Sequence, residues 1–392
     1  MQKLSGIARD YPWGSESAIQ EFIGQPAGSP LAEIWFGAHP SAPAVLEDGT
    51  PLDEAIESDP TATLGPSVSA QFGELPFLVK FLAPGTPVSL QVHPTPENAI
   101  SGFADDEANE IPIDAPHRSF KDRSHKPEMI FALTEFSGLV GFRSIEQCQR
   151  LLGTLSSTAL NATRAALSTT DAEAGLRDAL ASIIRLTPAQ VDEVVLECGL
   201  AANNHGAEIA EALITVTELA EHFPSDVGAV ASLLLRRLNL APGESIFVPS
   251  GMPHAYLSGL TVEIMANSDN VLRAGLTGKH INVPALLANT SFAAASNAPT
   301  KPDQTAPVQV LSPGAAEFEL VIVRPRGSRI ELGDHDGPTL ALCIEPEATL
   351  QAGEQSLLLQ RGEAAFVFAQ DGAISVSGAG ALCLARTPEA RS

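Results

Sequence analysis

Residues 86–94, Thr-Pro-Val-Ser-Leu-Gln-Val-His-Pro, constrain this chain more than any other stretch. Between the two prolines the residues alternate. Val88, Leu90 and Val92 are apolar; Ser89, Gln91 and His93 are polar. A period of two predicts a β-strand with one face in a core. The other face holds out a hydroxyl, an amide and an imidazole, about 7 Å apart at successive positions. Polar groups on a buried strand need partners or a ligand. The rest of the chain must supply them.

With 392 residues and 44% apolar content, the chain is long enough for a globular protein with two or three sub-cores. No apolar run approaches the roughly 20 residues that span a bilayer. The first ten residues lack the apolar core of a secretory signal, which predicts a cytoplasmic protein. Cys148, Cys198, Cys343 and Cys383 lie far apart with no CxxC, so they read as buried free thiols in a reducing compartment. A net charge of −24 argues against nucleic acid or an anionic membrane as partner. It leaves room for a small anionic ligand held by a local cluster of the 23 Lys and Arg residues.

Both tryptophans lie in residues 1–50, a stretch of short strands and loops. Leu75–Leu82 and Pro87–His93 read as a hairpin around Ala83-Pro84-Gly85-Thr86. Residues 101–119 are acidic and unpatterned, which predicts a surface loop. Glu128–Leu133 and Gly138–Phe142 read as strands. From about 145 to 237 the texture becomes helical, with Leu176, Leu180, Ile183 and Ile184 on one face. Thr187-Pro188-Ala189-Gln190 forms a capping box, and Gly199 is placed to close its helix. Strand texture returns at Ser245–Val248 and Leu260–Ala266. A Pro/Ala/Asn/Thr-rich linker covers about 289–308, and the tail from 309 reads as short strands in a small β-sandwich or barrel. One echo joins the two halves: Gly243-Glu244-Ser245-Ile246-Phe247-Val248 and Gly362-Glu363-Ala364-Ala365-Phe366-Val367. His254 follows the first copy by the same interval at which Ala373 follows the second, so only the first retains a ligand-type residue.

Three stretches carry chemistry: Ser89–His93, His125-Lys126-Pro127-Glu128, and the run from His254-Ala255-Tyr256 through Glu263 to Ser268-Asp269-Asn270 and Arg273. Each member also has a plainer reading. A histidine at a strand end can be hydrogen-bonded structure, Glu128 a salt-bridged carboxylate, Asp269-Asn270 a turn, and Tyr256 core. His39, His117, His205, His222 and His335 are assigned to structure. Taken together, Gln91, His93, Glu128 and His254 offer two imidazoles, a carboxylate and an amide oxygen, a set that suits zinc.

The longer motifs resemble type I phosphomannose isomerases. Phe120-Lys121-Asp122-Arg123-Ser124-His125-Lys126-Pro127-Glu128 matches the family pattern Tyr-x-Asp-x-Asn-His-Lys-Pro-Glu. The runs His254–Gly259, Glu263–Ala266, Ser268–Asn270 and Arg273–Lys279 match its second pattern. Pro-Phe-Leu-x-Lys ends at Lys80, Ser-x-Gln-x-His-Pro ends at Pro94, and Pro-Trp-Gly and Glu-x-Trp-x-Gly-x-His-Pro stand near the N-terminus. Phe120, Ser124 and Gly278 depart from the family's tyrosine, asparagine and proline.

The resemblance implies a mainly β, cupin-like (jelly-roll) fold. Residues 1–144 and 238–290 would form the zinc catalytic domain, 145–237 a helical domain, and 291–392 a second cupin-like domain without metal ligands. It implies one Zn2+ per chain, on Gln91, His93, Glu128 and His254. It implies a sugar-phosphate substrate, with mannose 6-phosphate and fructose 6-phosphate interconverted through a cis-enediol. Arg273, Lys126, Asp269 and Glu263 would be catalytic; Ser89, Lys80, Tyr256, Lys279 and His125 would contact substrate. The expected state is a monomer. The rival readings are a sugar-phosphate-binding cupin without catalysis and a cupin metal oxygenase. Intact Glu263, Asp269 and Arg273 speak against the first, and a glutamine ligand beside several lysines against the second.

Overall fold

The computed structural model describes residues 1–303 and 305–389. Its strands form four antiparallel sheets stacked face to face. The outermost has five strands, in the order Leu272–Gly275, Leu90–Val92, His254–Ser258, Phe136–Phe142 and Leu235–Leu240. Beneath it lies a six-stranded sheet: Ser245–Val248, Glu128–Ala132, Thr261–Ala266, Phe77–Leu82, Glu33–Phe36 and Ile7–Arg9. A seven-stranded and a four-stranded sheet, built mainly from residues after 308, complete the stack. The fold is mainly β and cupin-like, as expected.

Period two explains the stacking. In the strand Phe77–Leu82, Phe77, Val79 and Phe81 enter the core shared with the seven-stranded sheet, beside Phe318, Leu320, Ile322 and Phe366. Leu82 enters the core shared with the five-stranded sheet, beside Ile130, Val140, Ile246 and Tyr256. Lys80 points to that second side and lines a cleft between the two sheets. Covered on both faces, the whole strand is buried. Each large apolar side chain so buried contributes about 1.5–3 kcal/mol.

The strand that opened the sequence analysis behaves similarly. Leu90 and Val92 pack outward, into a core shared with the helices between 145 and 234. Ser89 and Gln91 face inward and line the cleft, and His93 is buried behind them.

Several expectations change. The segments 75–82 and 87–93 do not form a hairpin, because their strands belong to different sheets. The connection is held elsewhere: Ala83 N–H donates to the Ala32 carbonyl, Gly85 N–H to Trp13 and Val88 N–H to Tyr256. Residues 101–119 are not wholly loop, since a helix runs from Pro96 to Ala108, capped by Thr95. Its buried face is Ala99, Gly102 and Asp106, which carries no apolar period. Asp106 accepts the N–H groups of Ser119 and Phe120 at 3.1 and 2.8 Å. The Thr187–Gln190 capping box forms as read, but the helix continues past Gly199 to Ala201. There Gly199 packs toward Thr217 of the neighbouring helix.

The echoed hexapeptides adopt the same local form. Gly243 and Gly362 turn at φ +88 and +86, and each leads into a strand. The four cysteines are free and buried. The first strand, Gln2–Ser5, pairs with Ala364–Val367 and with Val45–Leu46, so the N-terminal segment completes the C-terminal sheet. No helix of the described residues is long and apolar enough to cross a membrane.

Candidate metal centre and active-site cleft

Strand register brings the four expected ligands together from distant parts of the chain. His254 stands directly opposite Gln91 across the five-stranded sheet. Glu128 begins a strand of the facing sheet, and His93 follows the strand that bears Gln91. Ligand atoms of His93, Glu128 and His254 all lie within 4.8 Å of one another. His93 Nε2 is 3.1 Å from Glu128 Oε1, and His254 Nε2 is 3.4 Å from Glu128 Oε2. The Gln91 amide reaches His254 Nε2 at 3.3 Å, and a half-turn of that amide presents its oxygen instead.

The tautomers make this a cation site. His93 Nδ1–H donates to the Asn270 carbonyl at 2.6 Å, and His254 Nδ1–H to the Met252 carbonyl at 2.9 Å. A carbonyl can only accept, so in each neutral ring Nε2 carries a lone pair. Both lone pairs point at carboxylate oxygens, which are acceptors too. Burial pushes the His93 imidazole down to about 4, which keeps it neutral, and its Nε2 has no hydrogen-bond partner. Acceptors facing one another in a buried space need a positive charge between them. Tetrahedral zinc with bonds of about 2.0–2.2 Å separates its ligands by about 3.3–3.6 Å, close to the spacings seen here. The site is set for one metal ion. Burial alone would raise the Glu128 carboxyl, but the positive charge of Lys126 holds it well below its ordinary range.

Gln91 and Glu128 line a cleft of about 630 Å³ between the two sheets, and His93 and His254 are buried behind it. Of the other residues singled out in the sequence, Lys80, Ser89, Lys126, Tyr256, Glu263, Asp269, Arg273 and Lys279 all line it. His125 does not. Its ring turns toward the C-terminal sheets, with Nε2 2.7 Å from Glu317 Oε1. Tyr256 OH donates to Glu128 Oε2 at 2.8 Å, and burial together with Glu128 keeps that phenol protonated. Lys126 Nζ lies 3.2 Å from Glu128 Oε1.

Lys80 is buried between Glu33 (3.4 Å) and Glu263 (3.2 Å). Burial lowers its pKa, but the two carboxylates outweigh that and hold it above the ordinary lysine value. Burial raises Glu263 despite Lys80. Asp269 is different. It is half exposed, and its hydrogen bond with His39 holds it below the ordinary range. Arg273 and Lys279 share one end of the cleft, and the guanidinium depresses the lysine. Their surroundings include no carboxylate that shifts either group.

Sequence reasoning missed several residues. Glu33 accepts from Trp35 Nε1 at 2.6 Å as well as from Lys80. Both belong to Glu-x-Trp-x-Gly-x-His-Pro, so the motif held the signal. His39, assigned to structure, ends the same motif and touches Asp269. His222, also assigned to structure, lines the cleft with Phe223 at the end of a helix. His335 does not line the cleft, and its Nδ1 lies 3.9 Å from Glu389 Oε1. Asn270 and Asp122 knot the loop that supports His93, through hydrogen bonds of 2.9 and 3.0 Å from Asn270 Nδ2.

Comparison with known proteins agrees with this geometry. Residues 1–145 match the family model described as phosphomannose isomerase type I, catalytic domain. The mannose-6-phosphate isomerase of Escherichia coli (strain K12) is 38% identical over 395 residues, covering 97% of this chain and 98% of that protein. The Homo sapiens mannose-6-phosphate isomerase is 30% identical over 410 residues, covering 94% and 93%. Among solved structures, a zinc-bound mannose 6-phosphate isomerase superposes with a TM-score of 0.88 at 35% identity, covering 98% of this chain and 99% of that one. A variant of the Salmonella typhimurium phosphomannose isomerase gives 0.90 at 35% identity, covering 99% of each. Likeness of this extent, in sequence and in fold, leads to one conclusion: the chain belongs to the type I mannose-6-phosphate (phosphomannose) isomerases.

Proposed function

We propose that this chain interconverts mannose 6-phosphate and fructose 6-phosphate in the cleft above the His93–Glu128–His254 cluster. The observation that carries the reading is that cluster of mutually facing acceptors, directly below a cleft lined by carboxylates and uncompensated cations. Gln91, His93, Glu128 and His254 hold one zinc ion. Bound there, zinc supplies positive charge for the oxygen atoms of the sugar.

The reaction moves one proton and needs no oxidant. In the open-chain aldose a base removes the C2 proton, the electron pair forms a C1–C2 double bond, and O1 gains a proton. The resulting cis-enediol loses its O2 proton as C1 gains one, which leaves the ketose. Asp269, kept ionised by His39, is the base for the carbon-bound proton. Glu263, held high by burial, moves protons between the oxygens, with Lys80 fixing its position. Lys126 donates to the oxyanion as charge develops. Tyr256 holds the Glu128 carboxylate in place, and Ser89 offers a hydroxyl to the sugar. Arg273 and Lys279 bind the phosphate, since they are the cleft cations without carboxylate partners. Lys80 is committed to its two glutamates and serves position rather than phosphate. His125 anchors the metal loop to Glu317 and lies outside the contact set. A monomer in the cytoplasm completes the reading.

A binding protein without catalysis would have no use for carboxylates of opposed proton affinity in one cleft. The test is mannose 6-phosphate incubated with the enzyme in D2O and followed by NMR. Fructose 6-phosphate should appear with solvent deuterium at C1. Binding without any fructose 6-phosphate would establish the rival reading.

A further inference from the structure

The segment that carries Lys279 has little structure of its own. The strand Leu272–Gly275 ends with Gly275 at φ +148, and Leu276 follows at φ +54. The second value lies in the left-handed region, uncommon for a branched apolar residue, so something outside the segment must hold it. That something is one carboxylate. Asp226 Oδ1 accepts the Leu276 N–H at 2.7 Å, and Asp226 Oδ2 accepts the Thr277 N–H at 3.2 Å. The same Oδ1 accepts the Gly228 N–H at 2.7 Å, capping the short helix Val227–Ala231.

Packing at this joint is close. A Cβ on Gly275 would sit 2.4 Å from Gly228 Cα, and one on Gly228 would sit 2.6 Å from the Leu276 nitrogen. Leu276 is buried in the core of the helical segment. The turn that delivers Asp226 also shapes the cleft. Ser225 takes φ +60, and His222 and Phe223, just before it, line the cavity. Beyond the clamp, Lys279 N–H donates to Thr277 Oγ1 at 3.1 Å.

Two like charges at one end of a cleft repel, and a free lysine arm would swing away into solvent. Each binding event would then have to order the arm again. We propose that Asp226 is a positioning residue for substrate-phosphate recognition, clamping the 275–279 arm to the helical segment so that Lys279 stays beside Arg273. This rests on the reading of Arg273 and Lys279 as the phosphate donors. It gives the helical segment, which carries no group of the proton-transfer set, a role in affinity rather than in chemistry.

The test is a double-variant cycle on the zinc-loaded enzyme with mannose 6-phosphate. Asp226→Ala should raise KM roughly tenfold, with kcat within about twofold and zinc content unchanged. Lys279→Ala should raise KM by at least as much. Adding Asp226→Ala to Lys279→Ala should change KM little further, because the clamp acts through the lysine. Should Asp226→Ala lower Tm enough to unfold the segment, Asp226→Asn carries the test. It keeps the volume and one acceptor oxygen, and a rise in KM of about threefold is expected. A KM that responds to Lys279→Ala but to neither Asp226 variant overturns the clamp and leaves the phosphate reading intact. Penalties that multiply in the double variant also overturn it. A KM indifferent to Lys279→Ala overturns the phosphate reading itself.

Discussion

Asn270 ties the metal centre to its supporting loop, and replacing it tests that link. Its side chain is fully buried. Oδ1 accepts the N–H groups of Lys121 (2.7 Å) and Asp122 (3.3 Å). Nδ2 donates to the carbonyls of Asp122 and Ser124, each at 2.9 Å, and to Asp122 Oδ1 at 3.0 Å. After Asn270→Ala, Asp122 Oδ1 still accepts the Ser124 N–H at 2.8 Å, which leaves the single hydrogen of the Ser268 hydroxyl free for the Ser124 carbonyl at 3.1 Å. The Lys121 N–H and both the N–H and the carbonyl of Asp122 lose the bonds this amide made. At about 1–3 kcal/mol for each buried group left unpaired, the cost is about 3–9 kcal/mol. Both residues are only half buried, so water reaches them and the lower part, about 3–4 kcal/mol, applies. At about 2.1 cal/mol/K per residue, a 392-residue chain melts with roughly 0.8 kcal/mol/K, so 3 kcal/mol is about 4 °C. The Asn270 carbonyl also orients His93, so zinc affinity should fall about 10–100-fold. Thermal melts of the chelator-treated protein read the first effect, and zinc titration against a chromophoric chelator reads the second. Asn270→Asp should be worse than alanine, because it turns an acceptor toward three acceptors. An aspartate variant with the parent Tm and zinc affinity would refute the reasoning.

Two other substitutions separate chemistry from scaffold. Arg273→Ala should keep its zinc while kcat/KM falls by about 100-fold or more, checked by metal analysis beside steady-state kinetics. Loss of zinc in step with activity would make Arg273 structural. Lys80→Met leaves Glu33 and Glu263 facing each other in the interior and should cost about 3–5 kcal/mol at neutral pH. Glu263 is already raised by burial and loses its compensating cation, so the folded variant binds a proton more tightly than the unfolded chain. The deficit should be full above the raised pKa that Glu263 takes in the folded variant, and should shrink as pH falls through that value toward the ordinary glutamate pKa of 4.5. Urea melts at acid and neutral pH measure it, and a pH-independent deficit would count against the buried triad.

The sequence was most legible where a local rule set the outcome. Alternation at 88–93 placed Gln91 and Ser89 on the cleft face, and the Thr187–Gln190 box capped its helix as read. The long motifs pointed to His93, Glu128 and His254, which the fold brings together, because each motif contains several chemically demanding residues in fixed spacing. What stayed hidden depends on distant backbone. The false hairpin at 75–93 arose because the connection gives its N–H groups to Ala32, Trp13 and Tyr256, a choice no side chain in 83–89 announces. The helix at 96–108 buries alanine, glycine and aspartate, which leaves no hydrophobic period to detect. Asp226 clamps two backbone amides 50 residues away, and backbone amides look alike in every sequence. Glu33, Lys80 and Glu263 sit on neighbouring strands of one sheet, a meeting set by register rather than by spacing along the chain.

The central claim is that one zinc ion on Gln91, His93, Glu128 and His254 is required for turnover of mannose 6-phosphate. Its most direct test is titration of zinc into chelator-stripped protein, with turnover read at each step. Activity should rise from the background rate and saturate at one zinc per chain, and His254→Ala should neither retain zinc nor respond to it. Full turnover by the stripped protein, or by a zinc-free His254→Ala variant, would contradict the account.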